Sequence, residues 1–212
     1  VTASTDLRFV ADAARVAGWN DKRRETAKRI TRAARRLCAT RGFDEFTLDD
    51  LAADAEVSRR TLFNYFDGKM EAVLGLPPAG VLPLLKEFCA GGPTGDLYDD
   101  ACIVGRQLLE EKGMARDDLA TLHLALERNP KLLAATATTF RGVGEDLLVL
   151  IAEREPEPSD SPRVVITLTA IAALFEATVR TFIAPDNRRP MGDIFDSYQG
   201  ALRDRPPETT DL

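Results

Sequence analysis

Apolar positions recur at helical spacing along almost the whole chain. Ala27, Ile30, Ala34, Leu37 and Cys38 lie three or four residues apart in an otherwise strongly basic stretch, the pattern of an amphipathic helix with one buried side. This predicts a helix over 22–41, with Gly42 as its C-terminal stop. A leader helix over 6–17 carries Phe9, Ala13, Val16 and Ala17 on one side and ends at Gly18. Short helices are expected over 47–55 and 59–66, capped by Thr47 and Ser58, with Asp50 completing an imperfect capping box. A fourth, capped by Asp67 or Gly68, starts at Lys69 and stops before Pro77-Pro78. One more is expected near 84–90. Longer helices follow over 96–112, 116–129, 131–155, 162–183 and 191–204, Pro130 standing where proline starts a helix without cost. Alternating β-branched runs are absent. The expected fold is therefore all-α, about nine helices after the leader.

Two Pro/Gly-rich breaks, at 76–80 and 91–95, punctuate the chain, and 155–162 and 185–190 read as loops. The last eight residues, with Pro206-Pro207, read as a loose tail. The first break separates an extension (1–21) and a short-helix unit (22–76) from a long-helix body (77–212). Within the short-helix unit, a tight Glu56-Val57 turn joins two helices, the arrangement of a helix-turn-helix. In the window 47–66, Leu48, Leu51, Ala52, Ala55, Val57 and Leu62 stand where that unit needs small or aliphatic core residues. Arg59, Arg60, Thr61, Asn64 and Tyr65 are polar and lie outside that core.

Charge sharpens this picture. The net charge is −6, yet residues 1–75 hold 14 basic and 12 acidic side chains, net +2, against 14 and 22, net −8, in residues 76–212. Between positions 22 and 41 nine basic residues face Glu25 alone. By itself such a run is as compatible with a solvated helix face as with a polyanion site; beside a helix-turn-helix, nucleic acid is the better account.

Other chemistry is poorly supplied. Cys38, Cys89 and Cys102 are odd in number and far apart, which excludes a disulfide framework. With one histidine they make a zinc site improbable. The sequence contains no phosphate-cradling glycine loop, G-x-S-x-G or H-E-x-x-H, so neither enzyme activity nor a cofactor is expected. No secretory leader opens the chain, and Glu176 and Arg180 interrupt its most apolar stretch, 164–183. A cytoplasmic protein without a membrane span is expected. Cys38 and Cys102 read as core or packing residues.

The sequence resembles the TetR/AcrR family of transcriptional regulators. The residues that carry the resemblance are Ile30, Ala33-Ala34, Leu37, Gly42-Phe43, Thr47, Leu51-Ala52, Ala55, Val57-Ser58, Thr61-Leu62-Phe63, Tyr65-Phe66 and Lys69. It is strong over 22–76; beyond that only helix pattern and length match. Departures are Glu56 where a turn glycine is usual, which costs roughly 1 kcal/mol if its φ is positive, Cys38 where phenylalanine is frequent, and Met70 between Lys69 and Glu71.

A recognition helix presents its N-terminal half to base edges. Here that half offers Ser58, Arg59, Arg60 and Thr61, with Asn64 one turn on; arginine reads guanine and asparagine adenine. Thr47, at a helix N-terminus, suits a phosphate. Lys22, Arg23 and Arg24 would neutralise phosphates at the edge. The resemblance implies phosphate contacts for Tyr65 and Lys69. It also implies a homodimer through helices 162–183 and 191–204, a double-stranded DNA operator, and a small-molecule effector bound in the body. Candidate pocket residues are Cys102, Leu119, Leu122, His123, Leu126, Phe140, Val143 and Phe175, each equally compatible with plain core packing. Two further readings stay open: an all-α carrier or enzyme using the helical body, and a DNA-binding regulator without a small-molecule effector.

Overall fold

The computed structural model describes residues 7–78, 80–111, 115–155, 158 and 160–203, without the side chains of Glu111 and Phe140. The tail expected at the C-terminus lies outside them. The described residues form eleven helices and no strand: α1 (Arg8–Ala17), α2 (Asp21–Arg41), α3 (Leu48–Asp54), α4 (Arg59–Phe63), α5 (Lys69–Leu74), α6 (Val81–Cys89), α7 (Leu97–Glu111), α8 (Arg116–Arg128), α9 (Pro130–Arg154), α10 (Pro162–Ile183) and α11 (Met191–Arg203). The expected all-α class holds, with ten helices after the leader.

Local chemistry sets the helix ends. Asn20 caps α2 by accepting the Arg23 N–H at 2.9 Å, and Gly42 leaves it at φ 101, a conformation open to glycine. Thr47 and Asp50 form a full capping box on α3. Ser58 caps α4 by accepting the Thr61 N–H at 3.0 Å. Helix α4 is shorter than its sequence pattern suggests: it stops at Phe63, with Asn64 as C-cap.

Three apolar clusters organise the chain. The first joins α2–α5: Ile30, Ala34, Cys38, Leu51, Leu62 and Phe66 are almost wholly buried together. It does not stop at the break after Leu76, because Ala125 of α8 and Leu132 of α9 are buried in the same cluster. Helix α8 packs along α2. The sequence boundary at 76 is therefore a change of helix length rather than a gap in packing. The second cluster gathers α6, α7, α9 and the start of α10 around Val81, Leu85, Phe88 and Ile151. The third packs Cys102 and Leu109 of α7 against Leu174 of α10 and Phe195 of α11. Helix α7 approaches α10 closely there: a Cβ on Gly105 would stand 2.9 Å from the Phe175 ring.

The leader α1 spans two of these clusters. Its Ala13 enters the body cluster, while Val16 and the following Trp19 enter the α2–α5 cluster. The Phe9 N–H donates to Asp146 of α9 at 2.8 Å. Helix α10 is long and apolar enough to cross a membrane by length and composition, with 22% of its most apolar window buried within the chain. Val164 and Leu174 face inward, whereas Val165 and Ile166 stand 48% and 66% exposed.

Candidate nucleic-acid interface

The helix-turn-helix is built from its turn outward. Glu56 takes φ 52, the left-handed conformation usually left to glycine. The Val57 N–H then donates to Ala52 O at 2.9 Å, turning the chain from α3 into Ser58. Leu51, Ala55 and Leu62 fill the wedge between α3 and α4, so the opposite side of α4 is solvent-facing. Arg59, Arg60, Phe63 and Asn64 are exposed there.

Five of the sequence-predicted residues meet in one place. Lys22, Arg23, Thr61, Asn64 and Tyr65 line a single open groove of about 550 Å³, joined by Asn20 and Thr26. It lies between the first turn of α2 and the end of α4. Arg23 stacks over the Trp19 ring at 4.4 Å, and its guanidinium carbon is 5.5 Å from the Tyr65 ring centre. Trp19 meets Tyr65 edge-on, centroids 5.3 Å apart at 84°. Arg23 also donates to Asn64 O at 3.3 Å. Trp19, just after the leader, thus braces the basic end of α2 against the end of α4. Trp19, Asn20 and Thr26 were not among the expected site residues. Asn20 carried a readable signal, an N-cap residue just before a helix; Trp19 carried none beyond its place next to the basic run.

Arg60 and Lys22 are exposed, and neither forms an ion pair among the described residues. Arg59 is held at 3.1 Å by Asp49. The hydroxyls of Ser58 and Thr61 lie 2.8 Å apart, so the cap engages both while leaving them at the surface.

Three expected contacts are oriented otherwise. The Thr47 hydroxyl donates to Asp50 at 2.7 Å, and the two aspartates of this first turn put negative charge where a phosphate was expected; the Thr47 hydrogen bond holds the Asp50 carboxyl below its ordinary pKa. Lys69 turns inward: its Nζ donates to Phe43 O at 2.8 Å and Phe46 O at 2.7 Å, 4.8 and 4.6 Å from the two ring centres. It ties α5 to the α2–α3 loop, so its ammonium is engaged by two backbone carbonyls rather than left open as the expected phosphate contact would have it. Arg24 lies about 100° round α2 from Arg23; it pairs with Asp21 at 2.9 Å and lines a different groove with Lys28, Thr31, Arg32 and Arg35. The basic helix is consequently two surfaces rather than one.

The eight candidate pocket residues are not brought together. Leu122 and Leu126 pack on the α2–α5 cluster, because the apolar side of α8 faces α2. Cys102 and Phe175 belong to the α7–α10–α11 cluster. Leu119 is buried, Val143 is half-buried, and the Phe140 side chain lies outside the described residues. His123 is 47% exposed and meets Glu127 at 3.1 Å on the outer side of α8. That exposure does not fit the place on a pocket wall expected for it. Burial raises the Cys38 and Cys102 thiols to about 11, consistent with their packing role, and no metal-binding cluster occurs among the described residues.

Residues 30–74 match the family described as bacterial regulatory proteins, tetR family. The chain is 34% identical over 97 residues to an uncharacterized HTH-type transcriptional regulator of Bacillus subtilis, covering 44% of this chain and 49% of that one. It is 29% identical over 97 residues to one of Mycobacterium tuberculosis, 46% of each. The matches thus span about half the length of these relatives. Among solved structures, the TetR-family repressor FadR of Thermus thermophilus, in complex with lauroyl-CoA, is 21% identical with a TM-score of 0.44, covering 88% of this chain and 100% of that one. A TetR-family regulator from Mesorhizobium loti is 15% identical with a TM-score of 0.46, covering 87% and 96%.

Proposed function

We propose that this chain, which belongs to the TetR family of DNA-binding transcriptional regulators through its N-terminal unit, is a homodimeric repressor released from its operator by a small apolar or amphipathic effector. The observation that carries the reading is the groove in which Lys22, Arg23, Thr61, Asn64 and Tyr65 converge beside the exposed Arg60. It offers two cations and several hydrogen-bonding groups at one edge of a short exposed helix, the chemistry of phosphate anchoring next to base readout. Arg60 and Asn64 read bases, Lys22 and Arg23 neutralise phosphates, and Tyr65 contacts the backbone from its seat on Trp19.

Residues 22–76 form the DNA-binding unit and 77–212 the regulatory body. A second copy pairs through α10 and α11, which places the exposed Val165 and Ile166 against a partner surface. The dimer sets two recognition helices about 34–36 Å apart on a pseudo-palindromic site. An effector that favours another spacing shifts the population off DNA. The protein acts in the cytoplasm.

Footprinting of the purified protein on the DNA upstream of its own gene tests the reading. Protection of a pseudo-palindrome, with affinity falling linearly in log salt, is the expected result. Absence of protection at low salt, or a monomer in sedimentation at micromolar concentration, would refute it.

A further inference from the structure

A second face of the basic helix carries charge that the groove beside α4 does not use. Arg24, Lys28, Arg32 and Arg35 fall on one face of α2 and line a groove of about 420 Å³. The groove sits where the leader, α2, the segment after α5 and the start of α8 meet. Its far wall is apolar, formed by Leu76, Pro77 and Pro78, with edges of Trp19 and Phe66 at the floor. The volume lies in the range of small-molecule sites, about 300–1,000 Å³.

The polar lining is unbalanced. Four cations face the groove and Asp118 is the one carboxylate among its lining residues. Asp118 meets Arg32 at 3.1 Å. Arg24 and Lys28 hold Asp21 and Glu25 at 2.9 and 3.0 Å, pairs on the outer rim with exposed partners, which yield at little cost. Arg35 is almost buried and donates to Val73 O at 2.8 Å and Leu74 O at 3.1 Å; burial lowers its pKa to about 10, so it is still a cation at neutral pH. The Arg24 Nε is buried and has no hydrogen-bond partner among the described residues. A buried N–H donor in a positive groove calls for an acceptor.

We infer that this junction groove binds an amphipathic organic anion, its carboxylate held by Arg24, Lys28 and Arg32 and its apolar body laid on Leu76 and Pro77. Charge decides the class. The lining holds four cations and one carboxylate, and the excess is offset by rim pairs with exposed partners. An anion can replace those partners and a neutral ligand cannot, and a polyanion would exceed the apolar wall. The inference rests on the repressor reading only in giving this ligand the role of effector. Trp19 lines this groove and lies under Arg23 of the DNA groove, so one ring touches residues of both sites.

Trp19 is the chain's only tryptophan, and its emission reports binding directly. The full-length protein is titrated with 4-phenylbutyrate and, separately, with uncharged 4-phenylbutanol, without DNA. The expected result is a saturable change with the acid, at least about tenfold weaker for the alcohol. Lys28→Glu and Arg32→Gln should each weaken the acid about tenfold or more, whereas Lys86→Glu, the same charge change on α6, should not. Calorimetry of the same titrations checks the affinities independently of the fluorophore. No saturable change up to about 10 mM, equal affinity for acid and alcohol, or equal affinity in Lys28→Glu and wild type would overturn the assignment. Because binding is read without DNA, a failure here leaves operator recognition untouched. Binding that does not alter operator affinity would remove the effector role and leave the site.

Discussion

Replacing Trp19 by leucine separates bracing from bulk. The ring is 6% exposed, so leucine retains most of the apolar burial while losing the aromatic edge and face. Three contacts disappear: the edge-on pair with Tyr65 at 5.3 Å, of a type worth about 0.5–1.5 kcal/mol, the Arg23 stack at 4.4 Å, about 0.5–1 kcal/mol at an exposed site, and the more distant Arg15 guanidinium at 5.5 Å. With the smaller side chain the fold should lose about 1–3 kcal/mol. The effect on DNA is distinct. Arg23 and Tyr65 would no longer be held in place before binding, and if about 1 kcal/mol of that ordering reappears as a cost in each protomer, a dimer loses about 2 kcal/mol, roughly thirtyfold in affinity. Anisotropy of a labelled operator, measured well below the melting temperature, reads this directly. A double-mutant cycle with Arg23→Ala isolates the route: if Trp19 acts through Arg23, the double variant binds about as weakly as Arg23→Ala alone. Fully additive losses, or wild-type affinity in a folded Trp19→Leu protein, would refute the bracing argument.

Other outcomes follow from the same geometry. Arg60→Ala and Asn64→Ala should each cost about 1–3 kcal/mol on the operator and much less on random DNA; equal losses on both would place them on phosphates. Lys69→Met should lower thermal stability by about 1–3 kcal/mol, because Phe43 O and Phe46 O lose their donor, without changing the slope of affinity against salt; a shallower slope would return Lys69 to the DNA. Asp100, wholly buried, is held by Arg154 at 2.6 Å and by the Thr94 N–H and hydroxyl at 2.7 Å. Burial alone would raise its pKa, but these partners outweigh it and hold the carboxyl below its ordinary value. Its stabilisation is therefore complete above the unfolded pKa, about 3.9, and is lost as pH falls through the lower folded value. Asp100→Asn should cost about 3–5 kcal/mol at neutral pH and flatten the acid limb of a urea-unfolding series; an unchanged limb would show that the pair does not govern acid stability. Cys38 and Cys102, with thiols raised to about 11 by burial, should resist iodoacetamide at neutral pH in the folded protein and react once it unfolds, as mass spectrometry would show.

The helices and their order were legible in the sequence because each rests on local causes. Apolar spacing, Asn20, Thr47 and Ser58 as caps, and Gly42 as a stop act within a few residues of one another. The helix-turn-helix was legible for the same reason, since its wedge of Leu51, Ala55 and Leu62 and its turn at Glu56 lie within a dozen positions. The exposed positions of Arg60 and Asn64, proposed above to read bases, follow from that frame. What the sequence could not decide was direction. The polar side of α2 is charged along its length, so nothing local says that Lys22 and Arg23 face the groove beside α4 while Arg24 and Lys28 face the junction; that depends on where α8 and the leader pack. The apolar stripe of α8 was visible, but its partner was not: it covers α2, which scatters the expected pocket residues between clusters and leaves His123 outside. Lys69 turned inward for a similar reason, since only folding brings Phe43 O and Phe46 O within reach of its ammonium. Periodicity tells that a helix has a buried side, and tertiary contact alone tells against what.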